Sequence, residues 1–395
     1  MTSISNKANL SQEHRMLQTL VKSYVRDDIL PIEKHLDSDA ISLPNDDFNK
    51  LSAKTKKMGL WCMESPAEYG GAGLDLFSQI IIEEERVQHR AGLYLPVYGT
   101  MGTPIPDIIW QGSDYLKNTY GIPTVNGEQE GGWYAITEPS GGSDPARSIE
   151  TKAVRDGDDW ILNGSKTFIT GSLQGEWGYV FARTNPKETR GITCFIVENN
   201  WEGFSVTPIP VIRSYYPGHI FFDNVRVPNR NVLGKPQDGW DILTNKLLSR
   251  LRIPYAAANL GVAVAANHMA VEYSKNRETF GAPLASRQAI QWMLVDSEVE
   301  IRSCRWLIWE AAWKFDAGED YRQSAAIAKL YSSEVLSNVV DRSIQIHGGY
   351  GITKSLPLER WYREARIRRL GEGPSEIQRM MIAREIINPH QGTNS

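Results

Sequence analysis

Residues 160–170 read WILNGSKTFIT, and this run divides the chain. Upstream of about residue 132 the texture is helical. Here β-branched and aromatic residues take over, as they do on a pleated, half-buried surface. Asn163-Gly164 is the strongest short hairpin signal, so two strands are expected to meet there. "YVFART" (179–184), "GITCFIVEN" (191–199) and "HIFFDNVRVP" (219–228) continue the strand texture, separated by short polar turns. At least five strands are expected between 132 and 236, with no long helix among them. That is a small antiparallel, barrel-like β domain.

Outward in both directions the pattern is helical. In "EEERVQHRA" (83–91) charges crowd together without strand alternation. "SPAEYGGAGLDL" (65–76) is a break between helices. "GTPIPDIIW" (102–110) carries two prolines two apart, so the chain must kink or start a new helix there. After Pro228 and Gly234, "IPYAAANLGVAVAANHMAVEYSK" (253–275) is long and rich in alanine, a strong helix former. Leu336, Val339, Val340 and Ile344 recur at helical spacing, and that helix is expected to stop at Gly348-Gly349. Ser375 and Gln378 have the spacing of a capping box. The tail "NPHQGTNS" (388–395) reads as disordered.

The chain has 395 residues, too many for one ordinary core. It is 41% hydrophobic and 23% charged, with a formal net charge of -4. That balance gives no reason to expect nucleic acid or an anionic membrane as partner. No apolar run reaches the roughly 20 residues of a membrane-spanning helix. No secretory signal pattern opens the sequence, so a cytoplasmic protein is the default, a processed mitochondrial form being the other option. Three scattered cysteines, Cys62, Cys194 and Cys304, argue against disulfides and zinc and read as buried thiols. Seven histidines form no ligand pair, so no metal is expected.

One carboxylate stands out. In "LGEGPSEIQR" (370–379), Glu372 lies between two glycines, just after the basic run Arg363, Arg366, Arg368 and Arg369. It either neutralises those arginines near a helix start or serves as a base that no neighbouring side chain obstructs. The arginines themselves read as a solvated, salt-bridged helix face.

Three segments carry a resemblance. "WYAITEPSGGSDPARSIETKA" (133–153), "NRETFGAPLASRQAIQWMLVD" (276–296) and "QIHGGYGITKSLPLERWYREARIRRLGEGPSEIQRMMIAR" (345–384) resemble signatures of the acyl-CoA dehydrogenase family, in the right order and spacing. The resemblance spans nearly the whole chain. It implies an α+β fold: an N-terminal helical domain (1–131), a middle antiparallel β domain (132–236) and a C-terminal four-helix bundle (237–395). It also implies a tetramer, built as a dimer of dimers, with one FAD per subunit.

The family removes two hydrogens from adjacent carbons of an acyl-CoA thioester, one as an α-proton to a base and one as a β-hydride to flavin N5. Glu372 matches the base, which an apolar pocket would tune toward working pH, and Gly373 the glycine along the thioester. Some members place the base on the helix near 251; Leu251 here cannot take a proton. Arg252 matches an arginine near the active site and the CoA moiety. Ser249 stands where the family often has an acid, a departure that bears on the CoA contacts. For the flavin the resemblance implies Tyr134, Ile136 and Thr137 at the ring edge, and Gly142 and Ser143 in the phosphate turn, Ser143 also near substrate. Phe168, where many members have tryptophan, Ile169 and Thr170 follow. Arg277, Thr279, Phe280 and Gln288 would reach the cofactor across a subunit interface, with Gln345, Gly348 and Gly349 at the adenine end and Pro374 and Glu376 nearby. Glu376 replaces the more usual glutamine.

The expected activity is FAD-dependent α,β-dehydrogenation of an acyl-CoA, with an electron-transfer flavoprotein or similar carrier as acceptor. An acyl-CoA oxidase or flavin monooxygenase on the same fold is one alternative, and a non-catalytic assembly partner another. Tyr215-Tyr216 and the double-proline segment hint at an unusual wall for the acyl pocket.

Overall fold

The structure, a computed structural model, describes residues 10–94 and 96–388, with main chain only at 96 and 97. The expected disorder of the tail falls on residues outside that range, apart from Asn388. The described chain forms two compact units: residues 10–53, 75–100 and 251–388 make the first, and residues 54–74 and 101–250 the second. Its longer helices are α1 (Gln12–Tyr24), α2 (Asn45–Lys57), α3 (Leu76–Arg86), α4 (Ser249–Asn276), α5 (Gln288–Asp316), α6 (Arg322–His347), α7 (Leu358–Arg368) and α8 (Ser375–Ile387).

The first unit is helical. Ser11 caps α1 by accepting from the His14 amide, and Asp75 caps α3 by accepting from the Ser78 amide. α3 is buried along its whole length, including its acidic run. The charges are tolerated because they are paired: Glu83 with Arg86 at 2.5 Å and Glu84 with Arg305 of α5 at 2.7 Å. α6 packs on α5, α7 and α8. The alanines of α4 and α6 (Ala256, Ala263, Ala325, Ala328) are fully buried in the shared core, where small side chains let helix backbones approach. As expected, α6 ends at Gly348, whose φ of +61° only glycine adopts readily.

The second unit carries the sheet: β1 (Gly131–Ala135), β2 (Lys152–Asp156), β3 (Asp159–Ile169), β4 (Trp177–Arg183), β5 (Ile192–Glu198), β6 (Phe204–Pro208), β7 (Gly218–Val227) and β8 (Val232–Leu233). The order is β6-β7-β3-β2-β4-β5-β8, with β1 also on β4. Pairing is antiparallel except for β1 with β4 and the single pair Lys152–Arg183 between β2 and β4. The double-proline segment does start a new helix, the short 3-10 turn Asp107–Gln111 capped by Pro106.

The hairpin turn is not at Asn163-Gly164. β3 runs straight through that pair, and the turn is Gly157-Asp158, closing the Asp156–Asp159 pair. Gly164 instead marks a register shift, and a Cβ on it would lie 2.7 Å from Thr151 Cα. It is glycine because another backbone approaches there, not because the chain turns. Cys62, Cys194 and Cys304 are buried, as expected, and burial raises the Cys62 thiol to about 12.

Candidate active site

Glu372 sits in the short turn between α7 and α8, in a left-handed conformation (φ +56°), followed by Gly373 at +85°. A non-glycine residue there costs on the order of 1 kcal/mol, so the surroundings must hold it. They do so through the main chain. Arg252 Nε of α4 donates to the Glu372 carbonyl at 3.2 Å. Gln378 Nε2 of α8 donates to the carbonyls of Glu372 and Gly373, each at 3.0 Å. Lys329 Nζ of α6 donates to the Gly373 carbonyl at 2.7 Å. Three donors from three helices thus converge on two consecutive carbonyls.

The segment entering the turn is anchored as well. The expected solvated arginine face holds for Arg363, which pairs with Asp39 and Glu359, but not for Arg368. Arg368 is buried, donates to Asn259 Oδ1 at 2.6 Å and to the carbonyls of Tyr255 and Leu93, and lies 3.2 Å from the centre of the Tyr255 ring. Acceptors far away in sequence drew it inward. The capping box is also absent: Pro374 is the N-cap of α8, with no side-chain capping bond, and Ser375 is the first helical residue. That register places Gln378 inside the first turn, where its amide reaches the Glu372–Gly373 carbonyls.

Burial dominates the electrostatics here. It lowers Lys329 to about 7; Glu372 pulls the other way, and the nearby Arg368 and Arg252 push in the same direction as burial. Arg252 is lowered for the same first reason, against the attraction of Glu372. Ser249 is buried, and its hydroxyl donates to the Thr244 carbonyl at 2.8 Å within its own helical run. Glu376 is exposed and Pro374 half-buried.

In the second unit, the Thr167 amide donates to the Thr137 carbonyl at 2.9 Å and Lys166 Nζ to the Ile136 carbonyl at 3.1 Å. These bonds lay Ile136 and Thr137 against Lys166 and Thr167, immediately before Phe168 in the chain. Lys166 also meets Glu138 at 2.7 Å in a buried ion pair, and Glu138 accepts from the Glu150 and Thr151 amides, which ties down the loop holding Gly142 and Ser143. Phe168 has φ +60° and is 58% exposed. Gly142 and Ser143 are exposed, and a Cβ on Gly142 would lie 2.8 Å from Thr137 Cγ2. An open aromatic face beside a glycine turn fits a flavin. The Ile169 side chain belongs to the sheet core, so only its main chain is available. Thr170 Oγ1 accepts from Arg213 Nη2 at 2.8 Å, and Arg213 is buried.

Arg277, Phe280, Gln288, Gln345, Gly348 and Gly349 are all exposed on the first unit. Phe280-Gly281 forms the tip of a small hairpin, β9 (Glu278–Thr279) with β10 (Ala282–Pro283), and Phe280 is 97% exposed.

Lys329, Gln378, Arg368 and Arg213 were not legible as site residues. Lys329 had one signal: in "SAAIAKLYSS" (324–333) it falls in the buried phase of a helix among small and apolar residues. Among the described residues no group of three or more His, Cys, Asp or Glu side chains could hold a metal.

Three family descriptions match the chain in order: the acyl-CoA dehydrogenase N-terminal domain over residues 11–128, the middle domain over 134–225 and the C-terminal domain over 237–387. The chain belongs to the acyl-CoA dehydrogenase family, whose members are FAD flavoproteins. It is 37% identical to a 3-(aryl)acrylate reductase of Clostridium sporogenes over 95% of this chain and 99% of that one. It is 34% identical to a short-chain specific acyl-CoA dehydrogenase of Clostridium acetobutylicum, over 96% and 99% respectively. The solved butyryl-CoA dehydrogenase of Megasphaera elsdenii superposes with a TM-score of 0.85 at 30% identity, covering 96% of this chain and 99% of that one.

Proposed function

We propose that this chain is an FAD-dependent acyl-CoA dehydrogenase in which Glu372 takes the α-proton of the acyl thioester. The observation that carries this reading is the Glu372 turn. A carboxylate flanked by glycines is held in left-handed backbone by three donors that engage its own carbonyl and that of Gly373. Such a turn fixes the main chain from which the carboxylate projects and so limits where it can lie. FAD supplies the hydride acceptor when bound. Tyr134, Ile136, Thr137, Gly142, Ser143, Phe168 and Thr170 hold its ring and phosphates, with Ile169 contributing main chain. Arg252 and Gly373 orient the thioester. The same groups would serve the reverse reaction, which is the direction the Clostridium sporogenes relative is named for.

The remaining cofactor contacts, Arg277, Phe280, Gln288, Gln345, Gly348 and Gly349, act in an oligomer, a tetramer by the family resemblance. The bare Phe280 ring and the exposed Trp292, Val295 and Val299 of α5 support a covering copy. An electron-transfer flavoprotein or a similar carrier would be the electron acceptor. The chain divides functionally at about residues 131 and 236. The location we propose is cytoplasmic, a processed mitochondrial form being the other option. Among the described residues no helix is long and apolar enough to cross a membrane.

The test is anaerobic titration of the FAD-loaded protein with acyl-CoA thioesters, butyryl-CoA and a 3-arylpropionyl-CoA first, following loss of oxidised-flavin absorbance. Bleaching in wild type, and bleaching slowed by about a thousandfold or more in Glu372→Gln, is expected. No bleaching by any thioester sinks the dehydrogenase reading. Rapid reoxidation of the bleached flavin by air would identify an oxidase instead.

A further inference from the structure

Lys329 is the one fully buried amine among the three donors to the turn. It is 0% exposed, and its ammonium reaches the turn that carries Glu372. We infer that Lys329 is a positioning residue for α-proton abstraction: it holds the Glu372–Gly373 turn through the Gly373 carbonyl. The inference rests on Glu372 being the base.

A lysine buried only for packing would be costly, because a charged amine in low dielectric needs partners. Lys329 has one at 2.7 Å, and that partner is the carbonyl of Gly373, the residue that follows the proposed base. The Gln378 amide of α8 engages the same carbonyl at 3.0 Å. Losing the lysine would leave that carbonyl one donor fewer and loosen the turn on its α6 side.

The experiment uses FAD-loaded wild type, Lys329→Met, Lys329→Arg, Gln378→Leu and Glu372→Gln. Anaerobic flavin bleaching by butyryl-CoA, or by whichever panel thioester bleaches wild type fastest, is timed over a series of thioester concentrations. Lys329→Met should retain the flavin spectrum and slow bleaching at saturation about tenfold, with the half-saturating thioester concentration little changed. Lys329→Arg, which keeps a donor for the Gly373 carbonyl, should recover most of the rate. Gln378→Leu, which removes the donor from α8, should slow bleaching in the same way. If Lys329→Met does not fold, Lys329→Gln, a shorter donor, should lose more of the rate than Lys329→Arg. A wild-type saturating rate in Lys329→Met, or equal losses whether or not a donor is kept, overturns the inference and leaves Lys329 structural. A wild-type rate in Glu372→Gln overturns instead the reading on which it rests.

Discussion

Two turns in the first unit have the same unusual backbone and opposite surroundings. At Glu372-Gly373 the φ angles are +56° and +85°; at Phe280-Gly281 they are +50° and +74°. Each places a large side chain in left-handed conformation immediately before a glycine. The Phe280 turn is explained locally. It joins β9 to β10, and a two-residue hairpin turn of this kind calls for positive φ at both central residues. The Glu372 turn joins two helices and has no such local reason. It needs Arg252, Lys329 and Gln378, drawn from three helices, to hold it. One turn is made by its neighbours in sequence, the other by its neighbours in space. The difference shows where the fold has invested tertiary structure in placing one side chain.

Perturbing each turn should therefore have distinct consequences. Glu372→Gln is expected to lower the rate of thioester-driven bleaching by about a thousandfold or more, the scale of losing a general base, with flavin content unchanged. Phe280→Ala should do the reverse: bleaching of flavin that stays bound is preserved, but FAD is retained about tenfold less tightly and the assembly shifts toward smaller species in sedimentation. If Phe280→Ala leaves flavin retention unchanged, the proposed interfacial role of the hairpin tip is wrong.

The glycines sharpen the contrast. A Cβ on Gly373 would lie 2.7 Å from Gln378 Nε2, whereas nothing lies within 4 Å of one on Gly281. Gly373→Ala combines left-handed strain with displacement of the Gln378 amide and should cost about 2–4 kcal/mol in urea unfolding. Gly281→Ala carries the strain alone, about 1 kcal/mol.

A pH dependence also separates the two turns. Lys329 falls from its usual 10.5 to about 7 in the folded protein, so the unfolded chain binds more protons than the folded one between those values. Stability from this group therefore rises with pH from about 7 toward 10. Between pH 7 and 9 the contribution should be on the order of 1–2 kcal/mol in wild type. Lys329→Met should lack it, and Phe280→Ala should keep it. Equal pH slopes in wild type and Lys329→Met would show that the lysine does not titrate in this range.

The alternation of texture was readable because propensity and patterning agree over long stretches. The helices before 132, the strands through 236 and the alanine-rich helix after them need no distant contact to be recognised. What escaped depends on partners remote in sequence. Arg363 and Arg368 look alike in "YREARIRR", yet one stays at the surface and the other enters the core, because Asn259 and the Leu93 and Tyr255 carbonyls accept from it. Asn163-Gly164 suggested a turn since glycine in a dipeptide cannot reveal whether it serves curvature or close approach. Thr151 decides that, and Thr151 lies on another segment. Glu372 stood out as a candidate base through its glycine neighbours and the family resemblance. The helices that aim it did not, for no local rule links residue 372 to residues 252, 329 and 378.

The three buried thiols have a practical consequence. With Cys62, Cys194 and Cys304 enclosed and their ionisation suppressed by burial, almost no thiolate is present near neutral pH. A single cysteine introduced at position 280 would then be the one group to react with a maleimide dye. The native chain is a ready background for fluorescence labelling, with no need to delete its own cysteines first, and a dye at the hairpin tip would report in real time whatever comes to cover it.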